Sequence, residues 1–184
     1  LRLSVRRRFS VVNVSANYQL QHGFGDSGGT VAQPTNSYDP RADLGRIPIP
    51  LHNVNSTANV RLPIGLFLTG SVRTNSGRYY TVTTGLDDNR DTNVTDRPPG
   101  VPPASERGPR YLNFDFNISK AFFFRRTSGS ATSGTNLNVF ANMTNAFNRV
   151  HYGTPSGVMT SPNFGQSTSA QDPREIEIGV RFQF

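Results

Sequence analysis

Hydrophobic residues in this chain recur at every second position. The clearest run lies at 174–184, where Ile176, Ile178, Val180, Phe182 and Phe184 alternate with Glu175, Glu177, Gly179, Arg181 and Gln183. Successive side chains of an extended strand point to opposite faces, so this spacing predicts a strand with one apolar and one polar face. Five earlier segments repeat it. Over 9–21, Val12, Val14, Ala16, Tyr18 and Leu20 oppose Asn13, Ser15, Asn17 and Gln19. Over 53–64, Val54, Ala58, Val60, Leu62 and Ile64 oppose Asn53, Asn55, Thr57, Asn59 and Arg61. Leu66, Leu68 and Val72 then face away from Thr69, Ser71 and Arg73, and Leu112, Phe114, Phe116 and Ile118 from Asn113, Asp115, Asn117 and Ser119. The sixth segment alternates Leu137, Val139, Ala141 and Met143 with Asn136, Asn138, Asn142 and Thr144, and Phe140 interrupts its polar face. No segment of comparable length carries a helical period.

A soluble sandwich also alternates, but its strands most often run to about five or six residues. These runs are near ten, the length a tilted strand needs to cross a bilayer. Their polar faces are rich in Asn and carry isolated charges, which suits a wet lumen. Aromatic residues gather toward strand ends at Tyr79, Tyr80, Tyr111, Phe122 to Phe124, Phe182 and Phe184, as in interfacial girdles. Link lengths alternate too: the connections at 22–52, 85–110 and 148–173 are long, while those at 63–65 and 125–134 are short. Long outer loops alternating with short periplasmic turns define transmembrane barrels. The pattern predicts an all-β fold: an antiparallel meander of about six long transmembrane strands, the C-terminal part of a large outer-membrane β-barrel. Six strands are too few to close, because bacterial single-chain barrels begin at eight. Residues 1–184 are therefore expected to be an open fragment, with further strands upstream. The lumen-facing set is expected to include Arg61, Arg73, Asp115, Glu175, Glu177 and Arg181. A soluble β-sandwich, with the apolar faces paired across a core, is the competing architecture.

Composition narrows the function classes. Only 34% of residues are hydrophobic, yet there are 13 Phe, which fits a sheet with one greasy face better than a thick core. With no Cys, a disulfide framework or thiolate metal site is excluded. The net charge of +7 invites a nucleic-acid reading, but the arginines are mostly single. The clusters Arg6-Arg7-Arg8 and Arg125-Arg126 are expected in solvated turns between strands, so nucleic acid is not an expected partner. Arg6-Arg7-Arg8-Phe9 is no export signal either, because Ser10 to Ser15 alternate with polar residues where a continuous apolar stretch belongs.

The stretch Ser76-Gly77-Arg78-Tyr79-Tyr80, the run Thr84-Gly85-Leu86-Asp87-Asp88-Asn89-Arg90-Asp91 and the triplet Asp96-Arg97-Pro98 together resemble TonB-dependent outer-membrane receptors. The resemblance is to the group carrying a carboxypeptidase-regulatory-like N-terminal domain. It continues through Arg107-Gly108-Pro109, Leu112-Asn113-Phe114-Asp115, Ser119-Lys120-Ala121-Phe122, Asn142-Met143-Thr144-Asn145-Ala146-Phe147-Asn148, Ser161-Pro162-Asn163-Phe164-Gly165 and Asp172-Pro173-Arg174. It implies a 22-stranded barrel with an N-terminal plug, and uptake of a bulky nutrient such as a siderophore or oligosaccharide. It further implies an inner-membrane energy-transducing complex as partner, reached through a region outside this chain. Val180, Phe182 and Phe184 look like the signal read by the barrel assembly machinery. Outer-membrane lipid is the remaining expected partner, and the bacterial outer membrane the location. A non-transporting barrel, acting as adhesin or surface protein, is the alternative.

The most chemical-looking segment is the acidic loop. Asp87, Asn89, Asp91, Asn93 and Asp96 offer oxygen ligands at spacings a Ca²⁺ ion favours. Thr92 stands where the turn Gly of such loops belongs, Pro98 where the bidentate Glu belongs, and Arg90 lies among the ligands. A turn-rich loop held by its own Asx side chains is the plainer expectation. No other cofactor is expected. His22, His52 and His151 lack metal-ligand spacing, and no catalytic constellation stands out, so an enzyme is not expected.

Overall fold

A computed structural model describes residues 1–26, 34–128 and 131–184. The strands in chain order are β1 (Arg2–Arg8), β2 (Val12–Leu20), β3 (Phe24–Gly25), β4 (Gly45–Arg46), β5 (His52–Arg61), β6 (Leu66–Asn75), β7 (Tyr79–Tyr80), β8 (Glu106–Arg107), β9 (Tyr111–Ser128), β10 (Ala131–Thr144) and β11 (Glu175–Gln183). The seven long ones form a single antiparallel sheet in the order β1-β2-β5-β6-β9-β10-β11, each beside the next in sequence. The short pairs β3–β4 and β7–β8 belong to the loops.

Register carries the alternation across the whole sheet. One row of paired residues reads Arg8, Asn13, Asn59, Thr69, Asn117, Asn142 and Glu177. A row on the opposite face reads Val12, Val60, Leu68, Ile118, Ala141 and Ile178. A one-residue slip anywhere would move a strand's apolar set to the other face, so each pairing specifies its neighbour. Phe140, the residue that interrupts the polar face, lies over Gly179 of β11: its ring occupies the space a Cβ there would need.

Three expectations need correction. Among the described residues the long strands number seven, not six, because β1 takes Arg6, Arg7 and Arg8 out of the expected turn and pairs them with β2. Arg7 falls on the apolar face, which hid the alternation; its guanidinium sits 5.8 Å from the Phe9 ring centroid, and a long aliphatic stem lets such a charge lie along apolar surface. Arg125 and Arg126 likewise have strand backbone, since the β9–β10 ladder continues to Ser128 paired with Ala131. Of the turn expected over 125–134, residues 125–128 and 131–134 are therefore strand, and residues 129 and 130 lie outside the described set. The third correction concerns the girdle: Tyr79 is buried in a loop, and Tyr111 and Phe123 lie on the polar face. Phe122, Phe124 and Phe182 hold the short-turn rim of the apolar face.

No second layer covers either side of the sheet among the described residues. The buried hydrophobic residues, Tyr79, Val82 and Ala104, all come from the loop between β6 and β9. Ile178 and Val180 stand 77% and 64% exposed. The chain exposes 12897 Å², against about 8,800 Å² for a compact soluble protein of this mass. Unburied apolar strands in such number exclude the sandwich, in which those faces would meet.

Candidate functional site

The polar face and the loops at one end of the sheet hold the candidate functional groups. Arg61, Arg73, Asp115, Glu175, Glu177 and Arg181 all lie on the polar face. They do not form one cluster. Asp115 accepts from Arg73 Nη2 at 2.8 Å and from Asn113 Nδ2 at 2.7 Å. Arg61 lies against the Phe67 ring, 5.4 Å from its centroid. Asn142 passes a chain of amide bonds along its row, accepting from Asn117 at 2.5 Å and donating to Glu177 Oε2 at 2.8 Å. Asp115, Glu175 and Glu177 occupy the loop halves of their strands, and Arg61 and Arg181 the turn halves. The face is thus hydrogen-bonded with itself and mostly polar, interrupted by Phe67, Phe123 and Phe140, a surface compatible with water and costly against lipid.

The described parts of the three long loops, 21–26 with 34–51, 76–110 and 145–174, join into a cap. Asp43 of the first pairs with Arg97 of the second at 2.7 Å, both side chains about 10% exposed. Arg97 also donates to the Ala42 carbonyl, and Asp43 accepts from the Thr35 amide at 2.7 Å and from its hydroxyl. Tyr79 is sandwiched between loops: Arg46 lies 4.3 Å from its ring centroid and Arg107 Nη2 donates to its hydroxyl at 2.5 Å. That charged donor holds the phenol below its ordinary pKa. Gly77, at φ +84, admits the carbonyls of Gly108 and Pro109 where a Cβ would collide, which explains a glycine in the Ser76 to Tyr80 motif. Thr83 and Val158 form a parallel bridge between the second and third loops.

The third loop seats on the polar face. Asn145, in left-handed conformation at φ +47, gives its amide to Asp115 Oδ1 at 3.0 Å and its side-chain Nδ2 to the carbonyl of Arg149. His151 Nε2 lies 2.8 Å from the Leu112 carbonyl and its ring packs on Tyr111. Asn113, Asn145 and His151 are buried by this seat. The sequence shows Asn145 only as part of a motif and His151 only as a histidine without metal-ligand spacing, because their partners lie 30 and 39 positions away. Beside the Asp43–Arg97 pair is a cavity of about 270 Å³, lined by Arg46, Ile47, Thr81, Thr83, Thr95 and Pro103 with that pair.

The acidic loop spends its oxygens on its own backbone. Asp87 accepts from the amides of Asp91 and Thr92, at 2.9 and 3.0 Å, and Asn89 Oδ1 from that of Asp91 at 2.9 Å. Asp96, buried, accepts from the amides of Asp88 and Asn89 at 2.7 and 3.0 Å. Asp91 accepts from the amides of Asn93 and Ser37 at 2.9 and 2.7 Å, and Asn93 reaches the Ser37 hydroxyl. Among the described residues no three acidic or histidine groups are placed to share a cation.

Asp91 yields a prediction. The Ser37 amide, with that of Asn93, draws its carboxyl down to about 2 from 3.8. A lowered folded-state pKa stabilises the contact above the unfolded value and loses it as pH falls through the folded one. The Ser37 amide is expected to stay protected from hydrogen exchange at pH 3 and to lose protection as pH drops through about 2. Loss already at pH 4 would contradict the contact.

Val180 and Phe182 lie on the apolar face and are exposed, with the Phe184 ring 6.0 Å beyond that of Phe182.

A family model described as an outer membrane beta barrel domain matches residues 100–177. No curated protein and no solved structure matches the chain. The matched stretch runs from the end of the second loop through β9 and β10 into β11. The chain is an unclosed antiparallel segment of an outer-membrane β-barrel, and its place is the bacterial outer membrane.

Proposed function

We propose that this segment belongs to a TonB-dependent receptor whose barrel takes up a bulky nutrient, a siderophore, an oligosaccharide or a similar compound. The observation that carries the reading is the loop cap: a buried ion pair ties the first long loop to the second beside a cavity they line, a β-bridge ties the second to the third, and the third seats on the polar face through Asn145 and His151. Free surface loops of a structural barrel have no need of such internal order, whereas a receptor gains affinity from a pre-organised site. In this reading the cap binds ligand, and Arg61, Arg73, Asp115, Glu175, Glu177 and Arg181 line the passage. Val180, Phe182 and Phe184 serve the assembly machinery, and no catalysis is involved. Energy coupling runs through a plug and an inner-membrane complex.

The test uses the whole protein in its own cells, with and without the energy-transducing complex. Growth is measured with a ferric siderophore, cobalamin or a long maltodextrin as the limiting nutrient in turn. Deleting the barrel gene and disabling the complex are expected to abolish growth on the same one of these. Unchanged growth on all three, with loss of surface attachment, would establish the adhesin reading instead.

A further inference from the structure

The apolar face ends, at the loop side, in a basic pocket. Tyr18, Val54, Thr74 and Leu112 form the last row of that face shared by β2, β5, β6 and β9. Just beyond it His52, Val54, Thr74, Ser76, Arg107 and Arg110 line a cavity of about 290 Å³. His52 Nδ1 is 2.8 Å from the Tyr18 hydroxyl and the two rings stack, which orients the imidazole. Arg107 is anchored through one Nη2 bond to Tyr79, with further guanidinium N–H groups to spare. Arg110 is exposed, and among the described residues neither arginine forms an ion pair.

We infer that this rim pocket binds the phosphate of an anionic lipid in the outer leaflet. Two guanidinium groups supply donors that suit a phosphate, since arginine bonds its oxygens in a bidentate fork, and the His52 ring lies beside them. A soluble anion would need only the charges. This pocket also has an apolar floor, Val54, that continues into the bilayer-facing rows below, where acyl chains attached to the phosphate would lie. Its height fits as well: it sits where the strands leave the bilayer and the long outer loops begin, the level of the head groups. The site is separate from the cap cavity and does not depend on the transport reading.

The test takes the full-length protein purified in detergent and measures retained lipid by native mass spectrometry. The probes are bisphosphorylated lipid A and its dephosphorylated counterpart with the same acyl chains. Removing the phosphate, or reversing charge with Arg110→Glu, is expected to weaken retention by about tenfold or more, the scale of a lost charge-assisted contact. Arg149→Glu, the same charge change on the third loop, is expected to leave retention unaltered. Inorganic phosphate at millimolar concentration is expected not to displace the lipid. Equal retention of the two lipids, wild-type retention by Arg110→Glu, or full displacement by inorganic phosphate would each overturn the inference. Should Arg110→Glu fail to assemble, judged by heat-modifiable migration, Arg110→Gln is measured against the same two lipids under the same criteria.

Discussion

Ile178→Arg is expected to destabilise the assembled barrel by about 2–4 kcal/mol, whereas Gln183→Arg is expected to be close to neutral. Ile178 is 77% exposed and lies in a row that is apolar across six strands, from Val12 to Ile178 itself. In the membrane that exposure is contact with hydrocarbon, and a guanidinium placed there has neither water nor counter-ion. Gln183 pairs with Asn136 on the polar face, where a charge stays hydrated. Val180→Arg is expected to fall between the two. Its row contains Lys120, whose ammonium already lies 4.9 Å from the Phe122 ring centroid toward the short-turn rim. A cation tethered at this row can reach the interface, and the cost of a lipid-facing charge falls toward about 0–1 kcal/mol there. Urea unfolding of the full-length protein refolded into lipid vesicles measures the gradient. Three indistinguishable variants would mean that the faces are assigned wrongly.

Asp43→Ala is expected to open the loop cap by about 3–5 kcal/mol, because it leaves the guanidinium of Arg97 without its partner in a site where both side chains are about 10% exposed. It also removes the acceptor for the Thr35 amide. The loss is local: the cap touches the sheet at its loop end, while the ladder from β1 to β11 keeps all its backbone bonds. Amide exchange and limited proteolysis over 34–46 and 95–104 are expected to rise sharply, with barrel migration unchanged. Asp43→Asn, which keeps an acceptor oxygen but not the charge, is expected to lose less. If Asp43→Ala left the loops as protected as wild type, the pair would not organise the cap.

How much of this was legible beforehand depends on the range of the interaction. Six strands could be read because each displays its own period of two. β1 could not, because three arginines in a row and one on the apolar face erase the pattern within seven residues; only the pairing of Arg2–Arg8 with β2 shows that they form a strand. The extent of the β9–β10 hairpin was hidden similarly, since Ser, Gly and Thr mark a turn in isolation and a partner strand overrides that preference. The acidic loop offered two readings, and its spacing alone could not choose between a cation and backbone amides as what the oxygens accept from.

From its residues alone, this chain has a two-faced antiparallel meander, long loops on one side and short turns on the other. These are consequences of local alternation and turn chemistry, set within ten residues. The tertiary structure decided what depends on residues meeting from far apart: the Asp43–Arg97 tie, separated by 54 positions, the seating of Asn145 on Asp115 and the burial of Tyr79 between two arginines. A strand can advertise which face is greasy, but an arginine in a loop looks the same in sequence whether it meets solvent, a carboxylate or a phosphate.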